Sequence, residues 1–300
     1  MKKALALILT ASLLTGVLTA CGSSEAQTDA AETTTEEAAA EETAAAEETA
    51  DTDAQAETGD LQVITVAATA VPHAEILEAA KPILAEQGYD LQVTVFDDYV
   101  QPNEVVEAGD IDCNYFQHIP YLNSYNEERG THLVSVGEIH YEPIGIYAGT
   151  ESDLSNIPDG ADIAIPNDTT NEARALLILQ DNGIITLKEG AGIDATINDI
   201  AENPHNINFV EMEAAQVSKV LSEVAFAVIN GNYALDAGLN AQTDALTSET
   251  SDSLAAQTYV NVVVVKEGNE DNEGVKALVD VLKSDDIKKF IEETYEGAVV

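Results

Sequence analysis

Aromatic side chains are concentrated in one short part of this chain. They make up 5% of its residues, yet six of them fall between positions 96 and 125. Their neighbours are polar or turn-forming, which predicts that the rings lie at strand ends and loop starts, where binding residues often occur. An aromatic pocket with a few polar groups suits a small apolar ligand, and a thioether gains additional sulfur–aromatic contacts. The candidate pocket residues are Tyr99, Phe116, His118 and Tyr121.

A second set of polar residues marks the junction between a predicted strand, residues 162–165, and a predicted helix, residues 171–180. Arg174 is one of only two arginines in the chain, and a guanidinium group can bind both oxygens of a carboxylate. The backbone amides of a helix N-terminus also favour an anion. The junction therefore predicts a carboxylate site, with a surface salt bridge from Arg174 to one of the many Asp or Glu residues as the competing interpretation. Asn230, after another predicted strand, offers both a donor and an acceptor.

Motifs of catalysis and of metal binding are absent from the sequence. It contains no G-x-S-x-G, H-E-x-x-H, Walker A or C-x-x-C pattern, so neither an enzyme nor a cofactor is expected. The five histidines form no closely spaced ligand pair. A zinc or manganese site would need His73, His118 and His140 to converge in three dimensions, and this alternative stays open. Cys113 lies among alternating apolar residues and is predicted to be a packed small hydrophobe.

The N-terminus has the pattern of a lipoprotein signal peptide, residues 1–21. Two lysines precede a 17-residue apolar run, too short to span a bilayer, and the run ends in Leu-Thr-Ala-Cys. Cys21 is the predicted site of lipid attachment, which would hold the protein on the outer face of the cell membrane without crossing it. Residues 22–60 contain thirteen acidic residues, no Lys or Arg and no aromatic residue, so they are predicted to form a disordered acidic tether.

The remainder of the chain predicts an α/β fold. The formal net charge of −43 excludes nucleic acid as a partner. From residue 61, short β-rich runs alternate with helical segments of 3.6-residue periodicity, with strands expected at 61–67, 91–96, 111–114, 133–136, 144–147, 207–210, 224–229 and 259–265, and helices at 272–282 and 285–295. We expect two lobes, 61–147 with 259–300 and 148–258, with a double crossover and a ligand cleft between them.

Several segments together resemble the methionine-binding lipoproteins of the NlpA/MetQ type. These segments are residues 71–77 (VPHAEIL), 98–103 (DYVQPN), 114–118 (NYFQH), 165–168 (IPND), 171–177 (NEARALL) and 229–233 (INGNY). The resemblance extends over residues 61–300. Two positions depart from the family pattern: Cys113 stands where Ala is usual, and Gly231 where Thr is common.

The resemblance implies a type II periplasmic-binding-protein fold and capture of L-methionine for the permease and ATPase subunits of an ABC importer. Another amino acid or a methionine-containing dipeptide remains an alternative cargo. The resemblance implies that the methionine side chain contacts the four candidate pocket residues. It implies that the carboxylate and amino groups contact Glu142, Asn171, Arg174 and Asn230.

Overall fold

The computed structural model describes residues 61–250 and 257–300. The predicted signal peptide, Cys21 and the acidic tether lie outside the described residues, so they stay predictions. Within the described residues, no helix is long and apolar enough to cross a membrane.

Twelve strands are described, most of them short. In chain order they are β1 (Gln62–Ala68), β2 (Tyr89–Val95), β3 (Cys113–His118), β4 (Leu133–Tyr141), β5 (Gly145–Ala148), β6 (Asp162–Pro166), β7 (Thr186–Leu187), β8 (Ile200–Glu202), β9 (Asn208–Met212), β10 (Phe226–Ile229), β11 (Ala245–Ser248) and β12 (Val260–Lys266).

The α-helices lie between these strands and at the C-terminus. They are α1 (Glu75–Glu86), α2 (Gln101–Ala108), α3 (Ile119–Arg129), α4 (Thr169–Asp181), α5 (Ala214–Val217), α6 (Gly231–Asp236), α7 (Glu273–Leu282) and α8 (Asp285–Tyr295).

The strands form two separate five-stranded sheets and one small hairpin. The first sheet has the order β2-β1-β3-β12-β4, and the second has the order β11-β5-β10-β6-β9. Each sheet is mixed: β1 is parallel to β2 and β3, whereas β12 runs antiparallel to both of its neighbours. The α/β architecture with two sheets agrees with the sequence prediction.

The chain passes between the sheets twice. It leaves the first sheet after β4 and enters the second at β5, and it returns to the first at β12. The first crossing precedes the predicted position near residue 148, because Gly145–Ala148 pairs with β10 inside the second sheet. The lobe boundaries themselves stay a prediction, since the described residues all belong to one compact unit.

The core of the first sheet is supplied by its most apolar strand and by α1. Four consecutive valines of β12, from Val262 to Val265, are fully buried because the strand is central and covered on both faces. Helix α1 places Ile76, Leu77, Ala80 and Leu84 on one buried face, as its periodicity predicts. These packed elements fix the position of β3, whose last residues reach the space between the two sheets.

Candidate functional site

A cavity between the two sheets is lined by all eight residues that the sequence singled out for ligand contact. Tyr99, Phe116, His118, Tyr121 and Glu142 come from the first half of the chain and Asn171, Arg174 and Asn230 from the second. Sequence reasoning missed four further lining residues: Gln117, Gly231, Asn232 and Asn261. The first three lie within two positions of a predicted site residue in the sequence, and this proximity could have identified them. Asn261 has no such neighbour in the sequence.

The aromatic wall of the cavity is formed by three rings that contact one another. The ring centroids of Tyr99 and Phe116 are 5.8 Å apart, and those of Tyr99 and Tyr121 are 5.6 Å apart. The Tyr121 hydroxyl donates to the carbonyl oxygen of Tyr99 at 3.1 Å. The rings therefore support one another as an apolar surface.

The expected loop position of Phe116 is wrong. Phe116 lies inside β3, which runs from Cys113 to His118 and not from 111 to 114 as predicted, whereas His118 is the last residue of that strand. All six residues of the strand are buried. A strand that is paired on both sides and covered on both faces does not have to alternate polar and apolar residues. The polar residues of β3 therefore looked like a loop in the sequence, and the strand was placed too early.

Three polar side chains link the first sheet to the second across the cavity. His118 Nδ1 accepts from the backbone N–H of Tyr121 at 3.1 Å, so its hydrogen sits on Nε2, which lies 3.1 Å from Asn171 Oδ1. Burial, followed by the charge of Arg174, lowers the pKa of His118 to about 3, so the imidazole is neutral at pH 7. Asn230 Nδ2 donates to the same Asn171 oxygen at 2.7 Å. Within the described part of the chain, the buried Asn230 Oδ1 has no hydrogen-bond partner.

The N-terminus of α4 differs from the prediction in a way that changes its chemistry. The helix begins at Thr169 and not at Asn171, and Asp168 is its N-cap, accepting from the Asn171 backbone N–H at 3.2 Å. A carboxylate thus already occupies the helix amides that were expected to receive an anion. Arg174 consequently lies in the second turn, not the first.

Arg174 is paired inside the protein. Its Nε lies 3.0 Å from Glu249 Oε1, and its Nη2 lies 2.5 Å from Glu249 Oε2. Nη2 also donates to the carbonyl oxygen of Glu142 at 2.8 Å, and the guanidinium carbon lies 4.3 Å from the Tyr259 ring centroid. Arg174 therefore does form a salt bridge, as the competing interpretation expected, but the pair is buried and not on the surface. Arg174 still forms part of the cavity wall.

Glu142 lies beside two buried histidines. His140 Nε2 is 2.7 Å from Glu142 Oε1, and His73 Nε2 is 3.3 Å from the same oxygen. Burial raises the pKa of Glu142, and His73 and Arg174 oppose that rise. The convergence considered for a metal thus involves Glu142 in place of His118. Ligand atoms around tetrahedral zinc lie about 3.3 Å apart, so the His73–Glu142 distance fits such a site, whereas the His140–Glu142 contact is closer than a metal would place it.

Contacts across the cleft hold the two halves together. The Tyr99 hydroxyl donates to Asn232 Oδ1 at 2.5 Å, and the Tyr233 hydroxyl donates to the carbonyl oxygen of Asp97 at 3.0 Å. The cavity measures about 20 Å³, enough for one water-sized group. A ligand of amino-acid size therefore enters only when such contacts open.

Comparison with known proteins shows which family this chain is similar to. The profile of the NlpA lipoprotein family matches residues 64–300. A methionine-binding lipoprotein MetQ of Bacillus subtilis is 41% identical over 249 residues, covering 82% of this chain and 89% of that protein. The crystal structure of a lipoprotein from Ruminococcus gnavus is 66% identical, with a TM-score of 0.79, covering 80% of this chain and 98% of that chain. A nutrient-binding protein from Burkholderia cenocepacia, solved bound to methionine, is 42% identical, with a TM-score of 0.75, covering 79% of this chain and 98% of that chain.

The fold and its cleft thus define a two-lobed α/β protein of the type II periplasmic-binding-protein class, and the predicted fold class is confirmed. The match over residues 64–300 shows more than the class: the chain belongs to the NlpA lipoprotein family.

Proposed function

We propose that this protein captures methionine, L-methionine foremost, between its two lobes and delivers it to an ABC importer. The observation that carries the proposal is the assembly of three aromatic rings and eight polar or ionisable side chains around one cavity. An apolar wall suits the thioether side chain, and the opposite polar wall suits the zwitterionic end.

The roles of the polar residues follow from their hydrogen bonds. Arg174, held in place by Glu249, is assigned to the ligand carboxylate. Glu142 and the Asn230 side-chain oxygen, which has no partner among the described residues, are assigned to the ammonium group. Asn171 orients both His118 and Asn230 through its own oxygen. Tyr99, Phe116, His118 and Tyr121 are assigned to the side chain.

The relatives' names support the same ligand class. The Bacillus subtilis relative is named a methionine-binding lipoprotein, and the Burkholderia cenocepacia protein was solved with methionine bound. We assign delivery to permease and ATPase subunits, with anchoring through lipid on Cys21. Binding without turnover is the expected chemistry, because no step of transport requires the ligand to change.

Hinge motion is the proposed route of entry. The cross-cleft hydrogen bonds, such as that between Tyr99 and Asn232, are few and involve side chains, so a bound ligand can replace them. An open form would expose the aromatic wall, and closure would then bring Arg174 and Asn230 onto the amino-acid end.

Isothermal titration calorimetry of the full-length protein in detergent tests the proposal. The ligands are the twenty L-amino acids, D-methionine, methionine-containing dipeptides, zinc and manganese. Saturable heat with methionine, and recovery of that methionine unchanged after long incubation, is the expected result. Tightest binding of another amino acid or of a dipeptide would reassign the cargo. A single zinc or manganese site with no amino-acid binding would reject the proposal.

A further inference from the structure

Two buried histidines lie against the carboxylate of Glu142. His140 Nε2 lies 2.7 Å from its Oε1 and His73 Nε2 lies 3.3 Å from the same atom. The backbone N–H of Asn232 also lowers the pKa of this carboxyl group. Glu142 and both histidines are at least nine-tenths buried.

The outer nitrogens of the histidines indicate where their hydrogens lie. His73 Nδ1 lies 2.8 Å from the hydroxyl of Thr69, and His140 Nδ1 contacts the hydroxyl of Tyr115. Each hydroxyl can donate to the nitrogen that it faces, which leaves the single hydrogen of a neutral imidazole on Nε2. His73 Nε2 also faces a second acceptor, Asn261 Oδ1, at 3.2 Å, as a donor should.

Both imidazoles are neutral at pH 7. Burial lowers the pKa of His73 to about 4 and that of His140 to about 3, although the Glu142 charge opposes the shift at His73. Two neutral Nε2–H groups can orient and stabilise a carboxylate without cancelling its charge. The Arg174 guanidinium is paired with the carboxylate of Glu249, although its charge still lowers the pKa of Glu142.

The neighbouring backbone makes room for Glu142 at this position. A Cβ atom on Gly231 would lie 2.7 Å from Glu142 Cβ and 3.1 Å from its Oε2. On the same cavity wall, the buried Asn230 Oδ1 is without a partner among the described residues. A carboxyl acceptor and an amide oxygen without a partner among the described residues therefore border one cavity, and an ammonium group with its three hydrogens complements both.

We propose that His73 and His140 are positioning residues that hold Glu142 as the acceptor for the ligand's ammonium group, and so select ligands with a free α-ammonium group. The inference rests on the proposed function and deepens it. The histidines do not touch the ligand; they determine which oxygens Glu142 offers to it.

The test compares two ligands on matched variants of the full-length protein by calorimetry. Methionine carries the ammonium group, whereas 4-(methylthio)butanoate keeps the thioether and the carboxylate but lacks it. His140→Phe removes the donor at similar size, and His140→Gln restores an N–H at about the same reach. We expect His140→Phe to weaken methionine binding about tenfold to a hundredfold, the range for a hydrogen bond to a charged group. Binding of the analogue should change less than about threefold, and His140→Gln should recover most of the methionine affinity.

The outcomes separate this inference from the proposed function. Binding of the analogue by His140→Phe also shows that the variant is folded. Equal losses for both ligands, no loss for either, or a Gln variant as weak as the Phe variant would overturn the inference while leaving methionine binding by the wild type intact. Failure of the wild type to bind methionine would overturn both. A stoichiometric zinc site that disappears in His140→Phe would overturn the positioning role in favour of a metal site.

Discussion

Replacing Arg174 with methionine should cost more stability than any exposed substitution, because it leaves a buried charge without its partner. The side chains of Arg174 and Glu249 are only 4% and 11% exposed. After the substitution, the Glu249 carboxylate keeps the Tyr141 hydroxyl at 2.5 Å and the Ile144 backbone N–H at 3.1 Å, but no cation. Breaking a buried pair by removing one partner costs about 3–5 kcal/mol, which is the loss expected in the free energy of unfolding.

A double-mutant cycle distinguishes this mechanism from simple loss of packing. Glu249→Gln alone leaves the guanidinium buried and should also destabilise the protein by several kcal/mol. The double variant Arg174→Met/Glu249→Gln contains no ionised group at this position. We expect it to recover at least about 2 kcal/mol relative to the sum of the single effects. Arg129→Met is the matched control, because Arg129 is half exposed and 3.7 Å from Glu104; its cost should stay below about 1 kcal/mol.

Urea denaturation of the full-length protein, followed by circular dichroism, measures these values, and its pH dependence gives a second check. Burial raises the pKa of Glu249, but the charge and hydrogen bond of Arg174 lower it, as do the hydrogen bonds from Tyr141 and Ile144, and the net pKa lies below its usual value. In the wild type, the contribution of this pair to stability is therefore present above the unfolded pKa of about 4.3 and is lost as pH falls through the folded pKa. Without Arg174, burial is opposed only by the hydrogen bonds from Tyr141 and Ile144, so the carboxyl group takes up a proton more readily and the deficit of Arg174→Met should shrink as pH falls from about 7 to about 5. Additive single effects, or a deficit that does not change with pH, would refute the reasoning.

Three further predictions concern other positions. Gly231→Ala should lower the free energy of unfolding by about 1–3 kcal/mol and weaken methionine binding, because the new Cβ would lie 2.7 Å from Glu142 Cβ. Thermal melts measure the first effect and calorimetry the second. The control Gly192→Ala should change neither, because its Cβ would meet its nearest atom at 3.7 Å. Burial raises the pKa of Asp168 to about 6, although the hydrogen bonds from Asn171 oppose the rise. Between pH about 4 and about 6 the folded state therefore binds more protons than the unfolded state, and the contribution of Asp168 to stability falls as pH rises. Asp168→Asn should remove that fall, and a wild-type-minus-variant difference in unfolding free energy that is flat over this range would contradict the assignment. Cys113 is fully buried and burial raises the pKa of its thiol, so iodoacetamide should label it only in urea, as read by peptide mass; labelling in native buffer would show that the strand opens.

Elements defined by local signals were predicted well. Helix α8 begins and ends at its predicted residues, and α7 begins one residue later than predicted, because Asn272 and Ser284 cap the two helices as their sequence suggests. The valine run of β12 was equally clear. Such features depend on residues within one turn or one strand, so the sequence contains the required information.

Elements defined by tertiary context were predicted poorly. Helix α3 has Pro120 in its first turn and shows no clear apolar stripe, yet it is held against β3 by the buried side chains of Tyr121, Leu122 and Tyr125. Strand β3 was placed too early because its polar residues look like a loop. The error for β3 arises because burial on the faces of a central strand decides the structure, and local patterning does not report it.

The rarity of their residue types explains why the candidate site residues could be found from the sequence, whereas the buried residues that pair with them could not. Arg174 could be selected because the chain has only two arginines, and the pocket rings because aromatics are rare. Glu249 could not be selected, because it is one of 55 acidic residues and lies 75 positions from Arg174. The same holds for the contact of His73 with Asn261, which joins residues 188 positions apart. A residue type that is rare carries information wherever it stands, whereas a common type gains meaning only from the fold that brings it to its partner.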